Sequence, residues 1–225
     1  MSLVIETKDL WRVYHSKTGA EIPALRGVNL NIEAGAFVTL KGRSGSGKTT
    51  LLNCLAGLDK PTSGAATVLG HDMMTMSDAD ATVWRREQIG LVFQSFGLLP
   101  TLSAYENIEL LLRIKGDDFD ARHKRALECL EMVGLSKWKD HRPYEMSGGQ
   151  QQRVAIARAL ANDAKLILAD EPTGELDSKT TRELMTFFSE LVKTQHITML
   201  MVSHDPLVDA YVDEVLILKD GTINR

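Results

Sequence analysis

Residues 42 to 49 read Gly-Arg-Ser-Gly-Ser-Gly-Lys-Thr, matching the phosphate-cradling loop Gly-x-x-x-x-Gly-Lys-Thr at every specified position. A polyphosphate needs many N–H donors close together. Gly42, Gly45 and Gly47 let the backbone curl tightly enough to aim them inward without a Cβ clash. Arg43, Ser44 and Ser46 fill the loop, and Lys48 is placed to reach the β- and γ-phosphates. The Thr49 hydroxyl suits Mg²⁺, and Thr50 continues into a helix whose positive dipole end adds to the site.

A second cluster follows later in the chain. Leu166-Ile167-Leu168-Ala169 is an apolar, strand-like run that ends in Asp170-Glu171. Two acids at the end of a buried strand are costly unless a cation or ligand meets them. Ligands of open α/β sheets bind beyond the carboxyl ends of the strands, so both clusters should converge on one cleft. Asp170 then suits Mg²⁺, and Glu171 is placed to polarise a water against a γ-phosphate. The plainer alternative is a strand-to-turn exit built on Asp-Glu-Pro.

The elements that must position these residues are legible as patterns. Ala36 to Leu40 reads as a strand and Thr50 to Ala56 as the helix after the loop. Further strands are expected at Leu3 to Thr7, Leu10 to Tyr14, Leu25 to Ile32, Ala65 to Leu69 and Ile89 to Phe93. From about Ser103 to Ala161 the pattern turns helical, with Ala126, Leu127, Leu130 and Val133 on one face. Two apolar runs, Leu166 to Ala169 and Ile197 to Val202, flank an amphipathic helix from about Ser178 to Lys193, which suggests parallel strands with a helical crossover. The expected fold is α/β: a phosphate-loop core with a mainly parallel sheet, an N-terminal antiparallel β layer and an inserted helical subdomain. One domain should span 1–225, with 1–95 and 161–225 forming the core and β layer and 96–160 the helical subdomain.

Bulk properties narrow the setting. The chain has 225 residues and 26 basic against 30 acidic side chains, for a net charge of −4. That balance argues against general nucleic-acid binding. Cys54 and Cys129 lie far apart, form no metal or redox spacing, and suit a core in a reducing compartment. No run approaches the ~20 apolar residues that cross a bilayer, and the first residues lack the pattern of a signal peptide. A cytoplasmic location is expected, with no direct insertion into a membrane.

Met146-Ser147-Gly148-Gly149-Gln150, followed by Gln151-Gln152-Arg153-Val154-Ala155-Ile156-Ala157-Arg158-Ala159-Leu160, resembles the signature segment of ATP-binding-cassette (ABC) ATPases. By itself a Ser-Gly-Gly turn opening a helix is either an anion site or simply an N-cap. Its place between the phosphate loop and the Asp-Glu strand is the order this family has, and the resemblance covers nearly the whole chain. It implies ATP and Mg²⁺ as ligands and an active head-to-tail homodimer. In that dimer Ser147, Gly148, Gly149 and Gln150 of one copy meet the γ-phosphate held by the other. It implies that Tyr14 stacks on adenine, that Gln94 contacts Mg²⁺ and the attacking water, that Glu171 is the general base and that His204 contacts the γ-phosphate. Gly174-Glu175-Leu176-Asp177 matches the loop that crosses the dimer interface.

Arg43 stands where proline is common, Met146 replaces a leucine, and Glu175 adds an acid where the family often has a small or neutral residue. The turn His15 to Ala24 and the stretch Gly90 to Asn107 are similar to the branch of lipoprotein-release, macrolide-export and cell-division ATPases. That branch pairs with an integral membrane permease, which would hold this chain on the cytoplasmic face of the inner membrane. Phe96, Leu98, Leu99 and Pro100 are either docking surface for that partner or interior packing. Signalling through a membrane partner, or a soluble regulatory ATPase of the same family, is the alternative to transport. A phosphate-loop kinase or GTPase would not need the Ser-Gly-Gly-Gln segment.

Overall fold

The computed structural model of the chain describes residues 2–224. Two long strands open it, β1 (Leu3–His15) and β2 (Glu21–Glu33), paired antiparallel. The two short strands expected at Leu3 to Thr7 and Leu10 to Tyr14 are one strand with a register shift between Thr7 and Leu10. Asp9 sits at the irregularity with φ 46°. Gly64 passes so close that a Cβ there would lie 2.1 Å from the Asp9 carbonyl oxygen. The ten-residue turn expected between Tyr14 and Leu25 is shorter than that. Tyr14 pairs with Ile22 and Val13 with Pro23. What remains is a tight turn closed by Gly19 N–H donating to the Ser16 carbonyl at 2.9 Å.

After β3 (Phe37–Lys41) and α1 (Lys48–Leu55), β4 (Ser63–Val68) and β5 (His71–Asp72) return to the first sheet, whose order is β2-β1-β4-β5. This is the antiparallel layer the sequence suggests. Then come α2 (Asp78–Gln88), β6 (Ile89–Val92), α3 (Ala104–Lys115), α4 (Phe119–Met132), α5 (Gly148–Leu160), β7 (Leu166–Asp170), α6 (Ser178–Gln195), β8 (Thr198–Val202), β9 (Glu214–Lys219) and β10 (Thr222–Asn224). The second sheet runs β10-β9-β3-β8-β7-β6, parallel except for the β9–β10 hairpin. The expected crossover is present: β7 and β8 pair in parallel, from Leu166↔Thr198 to Asp170↔Val202, with α6 between them.

The central strands β3, β7 and β8 are buried on both faces, and strand alternation divides the core in two. Phe37, Ile167, Met199 and Met201 join the apolar faces of α3 to α6. Val38, Leu40, Leu168, Leu200 and Val202 join α1 and the antiparallel layer. Phe188 of α6 meets Phe37 edge-on at 6.3 Å, and burying each such ring stabilises the fold by about 1.5–3 kcal/mol. Both cysteines are buried free thiols, as expected of core residues. Burial pushes Cys54 up to about 12 and Cys129 up to about 11.

Within 96–160, α3 starts in a capping box of Ser103 with Glu106 and ends at left-handed Gly116. Buried Glu109 receives Arg113 at 2.8 Å and also pairs with Arg122. Four labelled elements exceed the sequence reading: α2, the two-residue β5, β9 and β10. Helix α2 buries little beyond Ala81 and Trp84, so its apolar period is faint, although Ser77 caps it. Strands β9 and β10 form a short hairpin at the sheet edge.

Candidate active site

The phosphate loop lies between β3 and α1, as its pattern requires. Gly47 turns at φ 104°, and a Cβ there would meet the Ala24 carbonyl oxygen at 2.5 Å. At Gly42 a Cβ would lie 2.2 Å from the Leu218 carbonyl oxygen. Neither backbone neighbour can yield, so the loop needs glycine at both places. Lys48 is buried and donates to the carbonyls of Gly42 at 2.9 Å and Arg43 at 3.1 Å. The Ser46 hydroxyl is buried under the loop without a hydrogen-bond partner among the described residues.

One cleft of ≈ 540 Å³ opens above the carboxyl ends of β3, β7 and β8. Gly42, Ser44, Gly45, Gly47, Lys48, Thr49 and Thr50 line it with Gln94, Asp170, Glu171 and His204. The two carboxylates and the phosphate loop therefore do converge. Ala24 also lines the cleft and escaped the sequence reading. Its only signal is the close approach of Gly47, which no pattern reveals.

The Thr49 hydroxyl donates to Asp170 Oδ2 at 2.9 Å. Burial raises the Asp170 carboxyl above its ordinary range; the Thr49 hydrogen bond opposes this and the Glu171 charge adds to it. Two hard oxygen donors side by side fit Mg²⁺, which keeps waters and leans on substrate oxygens rather than on a full protein cage. Among the described residues no cluster of three His, Cys, Asp or Glu side chains could hold a metal alone.

Glu171 leaves the strand at φ 47°, left-handed for a residue with a Cβ, and its N–H donates to the Val202 carbonyl at 3.0 Å. Such strain persists only where surrounding structure holds it, often at functional sites. His204 follows β8 and Ser203, and its Nδ1 lies 2.8 Å from Glu171 Oε2. Gln94 lies just beyond β6 on an exposed loop in which Phe96 and Gly97 both have positive φ. Arg158 of α5 donates to the carbonyls of Phe96 at 3.0 Å and Gly97 at 2.5 Å, holding that loop.

The other expected residues lie outside the cleft lining. Arg43 is exposed on the loop. Tyr14 sits beside Thr50, its hydroxyl donating to Asp59 at 2.5 Å and one ring face covered by the Arg12 guanidinium at 4.4 Å. Ser147 caps α5: its hydroxyl accepts from Gln150 N–H at 3.3 Å, and its own N–H donates to Gln150 Oε1 at 2.8 Å. Ser147, Gly148 and Gly149 at the helix tip do not line the chain's own cleft. Met146 is buried in the core, as its likeness to leucine in volume suggests. Leu98 packs against the core, whereas Leu99 is 46% exposed, so the apolar cluster at 96–100 is divided between interior and surface.

A family model described as ABC transporter matches residues 25–174. The chain is 46% identical over 220 residues to the uncharacterized ABC transporter ATP-binding protein MJ1508 of Methanocaldococcus jannaschii, covering 98% of this chain and 97% of the relative. It is 44% identical over 221 residues to the pyoverdine export ATP-binding/permease protein PvdT of Pseudomonas aeruginosa, covering 98% of this chain but 33% of that longer protein. The ATP-binding cassette MJ0796 of Methanocaldococcus jannaschii, solved as a dimer in a post-hydrolysis state with ADP and Pi, superposes with a TM-score of 0.90 at 44% identity, covering 98% of this chain and 97% of that one. With the model spanning two thirds of its length and relatives this similar end to end, the chain belongs to the ABC transporter family.

Proposed function

We propose that this chain is the ATP-binding and ATP-hydrolysing subunit of an export-type transporter, working as a homodimer that drives a membrane permease. The convergence of the phosphate loop, Asp170, Glu171, Gln94 and His204 on one cleft carries this reading. The dimeric ADP–Pi state of MJ0796 and the joining of ATP-binding and permease portions in PvdT support it. No helix among the described residues is long and apolar enough to cross a membrane, so contact with the bilayer would run through the permease, on its cytoplasmic face.

In this reading, loop N–H groups and Lys48 bind the β- and γ-phosphates, while the free face of Tyr14 stacks on adenine. Thr49, Asp170 and Gln94 would hold Mg²⁺, which would supply charge neutralisation to the bound triphosphate. Glu171 takes a proton from the attacking water as it adds in line to the γ-phosphorus, and ADP leaves. His204 orients the γ-phosphate and, through its contact with Glu171, the carboxylate. Ser147 and the N–H groups of Gly148 and Gly149 complete the neighbour's site, with Gln150 holding that tip in shape. The segment 174–177 follows the strained Glu171 turn and lies at the dimer seam. Residues 96–160 act as the body that carries the signature tip and, at Leu99, the docking surface for the permease.

The test is phosphate release by the purified chain with Mg·ATP, against Lys48→Ala. Turnover abolished by that substitution supports the proposal. A chain that binds Mg·ATP without hydrolysing it, at any protein concentration, overturns it.

A further inference from the structure

Lys41 is the last residue of β3, directly before Gly42, yet it does not line the cleft. Alternation along β3 puts its side chain on the face of Phe37, where Val208 of the 3₁₀ turn Pro206–Tyr211 packs. Its ammonium lies 2.5 Å from Asp209 Oδ1 and donates to the Asp205 carbonyl at 3.3 Å. Both acceptors belong to the segment that follows His204 at once. Asp205 holds that segment's first turn, its Oδ1 accepting from Leu207 N–H at 2.8 Å. On the other side of His204, the Ser203 N–H donates to the Leu40 carbonyl at 3.3 Å. His204 is therefore bracketed by two ties to the last two residues of β3, one from Leu40 and one from Lys41.

The His204 side chain is 69% exposed, so its aim is set by the Glu171 contact and by the backbone beneath it rather than by packing. We propose that Lys41, with Asp209, is a positioning residue for His204, tying the γ-phosphate-facing histidine to the strand that launches the phosphate loop. This rests on the reading of the cleft as an ATPase centre. The Lys41 side chain is 18% exposed and that of Asp209 43%. With Asp209 open to water the pair is screened and adds little to stability, so its effect is geometric. Misplacing a reacting group by an ångström can cost about a hundredfold in rate; loss of one of two ties should cost less.

The experiment is steady-state ATP hydrolysis by the full chain. Lys41→Met should lower kcat about tenfold, with KM within about twofold and the melting temperature nearly unchanged, and Lys41→Arg should retain at least about half of the rate. In a His204→Ala background, Lys41→Met should cost less than about twofold more, because the two act through one group. An unchanged kcat in Lys41→Met, a change confined to KM, or a loss that multiplies with that of His204→Ala overturns the inference. If His204→Ala leaves no measurable rate, the kcat loss with Arg rescue decides. If Lys41→Met does not fold, Asp209→Asn takes its place, with an expected loss of about threefold and the same cycle. Failure of the unmodified chain to hydrolyse ATP sinks the reading of the cleft; full turnover in Lys41→Met sinks only this inference.

Discussion

His204 Nδ1 lies 2.8 Å from Glu171 Oε2, although the two residues come from different strands and are separated by the whole of α6 and β8. Parallel pairing of β7 with β8 makes the contact possible, because Asp170 and Val202 are in register, Glu171 follows the first directly and His204 follows the second after Ser203. Glu171 turns into the cleft only by adopting φ 47°. One residue with unfavourable backbone geometry thus places a carboxylate in the cleft, where the proposed mechanism needs it.

Glu171→Gln keeps the size and the polar contact but cannot accept a proton. Single-turnover hydrolysis of Mg·ATP should fall by about a hundredfold or more, the scale of lost general-base help, while nucleotide binding stays near the parent value. Hydrolysis at the parent rate would assign the base elsewhere.

Asp170 ties stability to pH. Its folded carboxyl titrates above the ordinary value of 3.8, chiefly through burial. The folded state therefore holds its proton longer than the unfolded state, and ligand-free stability falls as pH rises from the ordinary carboxylate range through the raised one. Asp170→Asn removes that loss. Without nucleotide, its melting temperature should exceed the parent's by an amount that grows as pH rises across this window. With Mg·ATP the order should reverse. A pH-independent difference between the two chains would contradict the burial argument.

Leu98 and Leu99 separate core from surface. Leu98→Asp puts a charge against the core and should destabilise the chain by about 2 kcal/mol or more in urea titration. Leu99→Asp should stay within about 0.5 kcal/mol of the parent. Its isolated ATPase should be unaffected, while stimulation by the permease is lost. Full stimulation with Leu99→Asp would move the docking surface elsewhere.

The phosphate loop, the Asp-Glu strand and the crossover around α6 were legible because each joins a local pattern to a strong burial signal. Lys48, Asp170 and Glu171 share a cleft for the reason their strands predict: all follow carboxyl ends of one parallel sheet. The hairpin turn at 16–20 was overestimated because Glu21 to Ala24 carry little apolar alternation, yet they complete β2 through pairing with β1. Helix α2 was missed because only its Ala81 and Trp84 are buried. Ala24 and Lys41 could not be found from sequence. One enters the cleft through a backbone close approach, and the other acts on a segment more than 160 positions away, at Asp205 and Asp209. The N-cap role of Ser147 was open in the sequence and is realised in the fold, where Ser147 remains exposed.

Light scattering of the Glu171→Gln chain with ATP tests the paired-copy account most directly. The account predicts a species of twice 24.9 kDa that forms with ATP, reverts without it, and fails to form when Ser147→Arg is added, although each monomer still binds nucleotide. A chain that stays monomeric with ATP bound, or pairs equally well with Ser147→Arg, would contradict it.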